Sequence, residues 1–332
     1  MSKHAPRSKN CLTRPEIPIK HFVIARLVSA LMVILGVALL VFLIIRLVPG
    51  DPIEVLLGES GQPAARTALR AALGLDQPLG TQLGRYLRGL MRADLGNSLH
   101  SRRPVVALLM ERIPATVQLA IAALGVALAI ALPLGIIAAR YRGTFGDRIA
   151  MAIALFGMSI PNFWLGPLLI MLFALQLGWL PVSGRDSAAS IILPAVTLGT
   201  GMAAILARML RAALLEVLSE DYIRTAYASG FPPHIVIWRY ALPNAALPVV
   251  TLLGMQLGAL LGGAVITETI FSWPGLGSLM VESINRRDYP VVQGCILLIS
   301  LTYVVINTLT DILYATLDPR VRLGPQVSNT FD

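Results

Sequence analysis

Long uncharged runs separate short charged ones along the whole chain. Six stretches of 19 residues or more lack Asp, Glu, Lys and Arg: Leu27 to Ile45, Leu119 to Ala139, Ile149 to Gly184, Ser187 to Ala207, Tyr240 to Thr267 and Tyr289 to Thr310. A hydrocarbon core is roughly 30 Å thick and a helix rises about 1.5 Å per residue, so about 20 apolar residues suffice to cross it. Each stretch therefore predicts a crossing helix, and six crossings put both chain ends on one side. The third stretch, 36 residues long, would measure about 54 Å as one helix and cannot be a single straight span. Pro161, Pro167 and Pro181 are expected to divide it into a span and an interfacial extension. Two short helices are the alternative, which changes the parity.

Between these runs lie two polar segments large enough to carry function. The first, Arg46 to Gln118, has helical patterns at Ala65 to Leu73 and Gln82 to Met91, and an amphipathic run at Val105 to Ile113 that starts after Arg103-Pro104. The second, Arg208 to Arg239, predicts a short helix capped by Ser219, with Glu220 and Asp221 in its first turn and Gly230 at its end. Pro232-Pro233 then turn the chain into a second short stretch, His234 to Tyr240. Pattern alone leaves this segment as either a solvated connection or a knob held by another protein.

Composition fits a polytopic membrane protein: 56% of the 332 residues are hydrophobic and 14% charged, against about 25% charged in soluble domains. The formal charge of +9 does not call for nucleic acid, because topology alone concentrates bases on one face of a membrane protein. With the N-terminus inside, the inner segments hold fifteen Lys and Arg and the short outer loops only Arg185, Arg286 and Arg287. Nine more Arg lie in Arg46 to Gln118, but long loops translocate largely regardless of charge. Both termini are therefore expected to be cytoplasmic. The run after Leu27 is too long for a cleaved signal and is followed by no small-x-small site, so it reads as a retained anchor. Cys11 and Cys295 offer neither a disulfide framework nor a metal site. His4, His21, His100 and His234 all lie outside the spans, and no H-E-x-x-H or G-x-S-x-G is present, so a membrane enzyme is disfavoured and no catalytic or metal residue is assigned.

One set of motifs goes further. Arg224-Thr225-Ala226, Gly230, and then Tyr240-x-Leu242-Pro243 have the spacing of the cytoplasmic signature E-A-A-x3-G-x9-I-x-L-P. Pro49-Gly50-Asp51-Pro52, Leu73-Gly74-Leu75-Asp76-Gln77-Pro78-Leu79, Asp94-Leu95-Gly96-Asn97-Ser98, Ser159-Ile160-Pro161-Asn162-Phe163, Thr267-Glu268-Thr269-Ile270-Phe271, Trp273-Pro274-Gly275-Leu276-Gly277 and Asp318-Pro319-Arg320 follow in order. Together they resemble the permeases of bacterial ATP-binding-cassette importers, and within these the first permease of the peptide and nickel branch. Tyr240 departs from the Ile of the signature, and Tyr227 and Ser229 stand where many relatives carry basic residues.

The resemblance implies an all-α membrane protein of the type I importer class in the bacterial inner membrane: a tail (1–26), a first helix (27–45), an outer insert (46–118), a five-helix core (119–318) containing the segment 208–239, and a second tail (319–332). It implies as partners a second permease, two cytoplasmic ATPases, an extracytoplasmic binding protein and lipid. ATP and Mg would be used by the ATPases, with no cofactor bound by this chain, which has no G-x-x-x-x-G-K-[ST] loop. Docking on an ATPase is expected from Asp221, Arg224, Thr225, Ala226 and Gly230, with Leu242 and Pro243 fixing the exit into the fifth span. For the pathway the polar residues within or at the ends of spans are the candidates: Ser159, Asn162, Gln256, Glu268, Asn307 and Asp311. The Trp273 to Gly277 turn is expected on the outer face, as a gate element, a contact for the binding protein or a simple capping loop. Di- or oligopeptides, or a related small solute, are the implied cargo. Composition by itself would equally allow a self-sufficient carrier or channel; the cytoplasmic signature separates the two.

Overall fold

The computed structural model describes residues 19–47, 53, 63–72 and 76–317. The tail before residue 19, the Pro49 to Pro52 motif, Leu73 to Leu75 and the segment from Asp318 onward lie outside the described residues. Helices α1 (Ile19–Leu47), α2 (Pro63–Ala72) and α3 (Leu79–Met91) lead to α4 (Val105–Arg140). Then come α5 (Phe145–Ser159), α6 (Asn162–Leu169, extended by a π-helical turn Ile170–Gln176) and α7 (Ile192–Val217). The chain closes with α8 (Asp221–Ala228), α9 (Leu242–Ile270), α10 (Leu276–Asn285) and α11 (Tyr289–Leu317). Among the described residues five helical runs are long and apolar enough to cross a membrane, and a sixth crossing exists if α5 and α6 act as one broken span.

That pair corrects the expectation for the third stretch. Its two arms, Phe145–Ser159 and Asn162–Gln176, meet at 98°, so the stretch is a bent pair rather than a straight span with an interfacial extension. Proline explains the site of the break. Pro161 has no N–H and drives the residue before it out of the helical region, and both Ile160 (φ −91°, ψ 117°) and Pro161 (φ −63°, ψ 140°) are extended. The Pro161 carbonyl then accepts from Trp164 and Leu165 to start the second arm. Each arm of about 15 residues measures about 22 Å, too short to cross alone.

Packing of α4 on α7 answers the parity question. Small residues line this seam: Ala115, Ala123, Ala127 and Ala131 of α4 are buried with Ala195, Ala203 and Ala207 of α7. Without a hydrophobic drive between helices in lipid, close van der Waals contact holds such a pair, and small side chains permit it. A methyl on Gly199 would lie 2.7 Å from the Ala123 carbonyl oxygen, and one on Gly135 would lie 2.9 Å from the Leu210 side chain. Position 123 faces 199 and position 135 faces 210, so the two helices run in the same direction. The chain between them must return once across the bundle. It does so through both arms: Asp147 meets Arg211 at one end, and past the elbow Gly184 bonds Phe271 at the other.

The remaining helices fit this frame. Thr310 faces Gly254 and Tyr303 faces Gly258, so α9 and α11 are antiparallel. Arg26 pairs with Asp311 at 3.0 Å while Val41 clusters with Val292, so α1 is antiparallel to α11. Ile19 and Leu317, the outermost described helical residues, therefore lie at the end of the bundle that carries α8, here called the near face. Helix α3, the loop 92–104, α10 and the Trp273 turn belong to the far face.

The seam makes a measurable demand. Gly199→Ala should destabilise the protein by about 1–3 kcal/mol through overpacking. Gly125→Ala, on the same α4 but with open space around it, should be neutral or stabilising by up to about 1 kcal/mol. Thermal unfolding in detergent compares the two; equal effects would remove the seam from the account.

Candidate functional site

On the near face, α8 forms one residue later than its sequence suggests. Ser219 does not cap it: its hydroxyl donates to the Glu216 carbonyl and finishes α7, and Glu220 takes the cap position with extended backbone and no side-chain bond. The helix then divides cleanly. Ile223 and Ala226 are buried in the chain's own core, while Asp221, Tyr222, Arg224, Thr225 and Tyr227 are exposed. Ala226, expected to face a partner, is thus part of the anchor. The Arg224–Asp221 pair at 3.1 Å is almost wholly in solvent and contributes little.

Gly230 ends α8 with φ +83°, a left-handed backbone that costs an L-residue roughly 1–2 kcal/mol. The Gly230 amide donates to Tyr227 and the Phe231 amide to Ala226, the paired closure that satisfies the last carbonyls of a helix. Nothing lies within 4 Å of where a Gly230 side chain would begin. The turn is braced from α9, since Asn244 donates to the Tyr222 hydroxyl (2.9 Å) and to the Tyr240 carbonyl (3.1 Å). The Phe231 and Tyr240 rings sit 5.6 Å apart. Before Pro243 the helix widens into a π-turn, Val236–Ala241. A proline ring crowds the carbonyl four residues back, here that of Arg239, and the looser turn relieves this without breaking the run into α9.

Two buried polar constellations lock the frame at its two ends, and neither was apparent as such from the sequence. Near α8, Arg211 of α7 donates twice to Asp147 of α5, at 2.8 and 2.7 Å, and the Gly143 amide adds a third bond at 3.0 Å. The Asp147 side chain is 8% exposed. Removing one partner from such a pair strands a buried charge. The partners are 64 positions apart, and no local pattern joins them.

At the far face Glu268, fully buried, caps α10 from another helix. Its Oε2 accepts from the amides of Gly277 (2.7 Å) and Ser278 (3.0 Å), and its Oε1 accepts from the Thr116 hydroxyl (2.7 Å). The Thr116 oxygen takes the Leu276 amide at 2.8 Å, and the Trp273 carbonyl takes that of Gly275 at 2.8 Å. All four orphan amides at the start of α10 are thereby met. The Trp273 indole donates to the Ala115 carbonyl at 2.8 Å and ties the turn to α4. Glycine is required here by space: a methyl on Gly275 would lie 2.1 Å from the Glu268 carboxylate, and one on Gly277 would lie 2.5 Å from the Val265 backbone. Of the roles open to the Trp273 turn, the geometry is that of a clasp between α4, α9 and α10.

The six pathway candidates do not converge. Ser159 and Asn162 flank the elbow; the Ser159 hydroxyl donates to Leu155, and Asn162 lies beside Gly201. Gln256 and Asn307 are half-buried at mid-length, with Asn307 near Gly258. Asp311 is at the near face with Arg26 and Glu268 at the far face, so the six span the length of the bundle.

The sequence matches two family models, the binding-protein-dependent transport system inner membrane component over residues 131–323 and the N-terminal membrane component of such systems over residues 19–120. The chain is 44% identical over 302 residues to the glutathione transport system permease protein GsiC of Escherichia coli K12, covering 91% of this chain and 99% of that one. Against the GsiC of Salmonella paratyphi A the identity is 43% over the same length. Among solved structures, the inward-facing MetNI methionine ABC transporter matches in fold, with a TM-score of 0.55 and 22% identity over 64% of this chain and 96% of that one.

The clasp predicts an order of stabilities. Glu268→Ala strands three donors at about 1–3 kcal/mol each and should be the most damaging. Glu268→Gln, which keeps an acceptor, should cost less, and Trp273→Phe should cost about 1 kcal/mol for the lost indole bond. Unfolding temperatures of the purified variants give the ranking; Glu268→Ala at wild-type stability would refute the clasp.

Proposed function

We propose, starting from the fact that this chain belongs to the inner membrane components of binding-protein-dependent transport systems and is an ABC importer permease subunit, that α8 is its coupling helix. In this reading the near face is cytoplasmic, both termini lie inside, and α8 sits in a cleft of a partner ATPase. Asp221, Tyr222, Arg224, Thr225 and Gly230 make the contact; Ile223 and Ala226 pass the motion to the core; Leu242 and Pro243 carry it into α9. The observation that carries the proposal is the division of α8 into a face anchored in this chain and an exposed face that nothing among the described residues covers. Phosphate-cradling sequence is absent from the chain, so the free energy of ATP hydrolysis has to enter through a partner.

The same reading has this chain supply half of a translocation pathway, completed by a second permease and fed by an extracytoplasmic binding protein. The cargo is a peptide or peptide-like solute; the relatives' names carry glutathione, itself a tripeptide. Ser159, Asn162, Gln256 and Asn307 are the pathway-lining candidates. Glu268 and Asp311, engaged within the chain, act by holding helices in position.

Gly230 offers the test. Space around it is open within the chain, so Gly230→Ala should fold and transport with a backbone cost of about 1–2 kcal/mol. Gly230→Trp should fold similarly but lose at least about tenfold in ATP-driven uptake, as expected for a blocked central contact. Reconstituted complexes with the binding protein would report uptake and hydrolysis together. Normal coupled uptake by Gly230→Trp would overturn the docking assignment.

A further inference from the structure

At the far face a half-open cavity of about 290 Å³ lies between the loop 92–104, the start of α4, α10 and the start of α11. Most of the charged groups around it are already committed. Glu282 pairs with Arg286 at 3.0 Å, and the Arg286 carbonyl engages the His100 ring at 2.8 Å. Asp288, buried, accepts from the Ser98 hydroxyl and from the Leu99 amide. Glu111, beside the cavity on α4, is turned to Arg103. Arg112 is the exception. It lines the cavity, is half-buried, and makes no hydrogen bond or ion pair among the described residues.

A half-buried guanidinium whose five donors find no acceptor among the described residues is available to one that enters the cavity. Its planar fork matches a carboxylate through two parallel bonds. We propose that this cavity is a binding subsite for the carboxylate of the transported solute, with Arg112 as its receptor group and the Ser101 hydroxyl at its rim. The walls combine polar groups of His100, Ser101, Glu282 and Arg286 with Leu108, Leu279 and Val291, the mixed lining of a site for a small polar solute. Concavity favours a small molecule over a protein surface. The inference rests on the reading of the chain as a permease for peptide-like solutes and adds to it a named point of recognition within this subunit.

The test measures equilibrium binding of radiolabelled glutathione to the complete transporter in phosphatidylcholine nanodiscs, without the binding protein. Arg112→Gln should weaken binding at least about tenfold, the scale of a charge-assisted bond, and Arg112→Lys should restore part of it. Unfolding temperature and co-purification of the partner subunits control for misfolding. A glutathione analogue with both carboxylates amidated should bind wild type and Arg112→Gln alike. Unchanged glutathione binding by Arg112→Gln overturns the proposal. So does a variant that keeps solute binding but loses the binding protein, which would assign the cavity to an acidic side chain of that partner. No glutathione binding by wild type also overturns it, while coupled uptake by the same preparation would leave the permease reading standing.

Discussion

Close contact between α4 and α7 is the constraint on which the rest depends. Two parallel helices with alanine and glycine at their contact cannot slide or separate without losing dispersion contacts that lipid does not replace equally well. The Glu268 clasp fastens α9 and α10 to α4 at one end, and the Asp147–Arg211 pair fastens α5 to α7 at the other. Helix α8 follows the near end of α7 directly, through Leu218, Ser219 and Glu220. A displacement of α8 is therefore delivered to a rigid element and not dissipated in a loop.

Much of this was legible in the amino-acid order because it depends on local chemistry. Runs without charge located the crossings, Gly230 located the end of α8, and Pro161 located a break within the third stretch. Other features depend on partners distant in sequence. Ser219 looks like a cap until α7 claims its hydroxyl. Glu268 looks like an exposed or pathway acid until Thr116, 152 positions away, is brought beside it. The tilt of one arm of α5–α6 against the other could not be read from three prolines, because only the neighbouring helices decide how far a break opens.

Each face of the bundle combines buried carboxylates with exposed ion pairs. On the near face the Arg224–Asp221 pair lies in solvent and adds little stability, while Asp147 is buried against Arg211. On the far face Asp288 and Glu268 are buried and accept from hydroxyl and amide donors, which stiffens the segments they join, while Glu111 and Glu282 stay in exposed ion pairs. Arg112 stands out against that background as a cation without such an arrangement.

The elbow at Ile160-Pro161 has a consequence for water. Where the first arm stops, its last carbonyls no longer meet helical amides, and hydrocarbon supplies no donor in their place. Bare oxygen of this kind is tolerated at membrane depth only against protein or a wet space. The elbow, bordered by Ser159 and Asn162, therefore has to rest against protein or water and not against bare lipid.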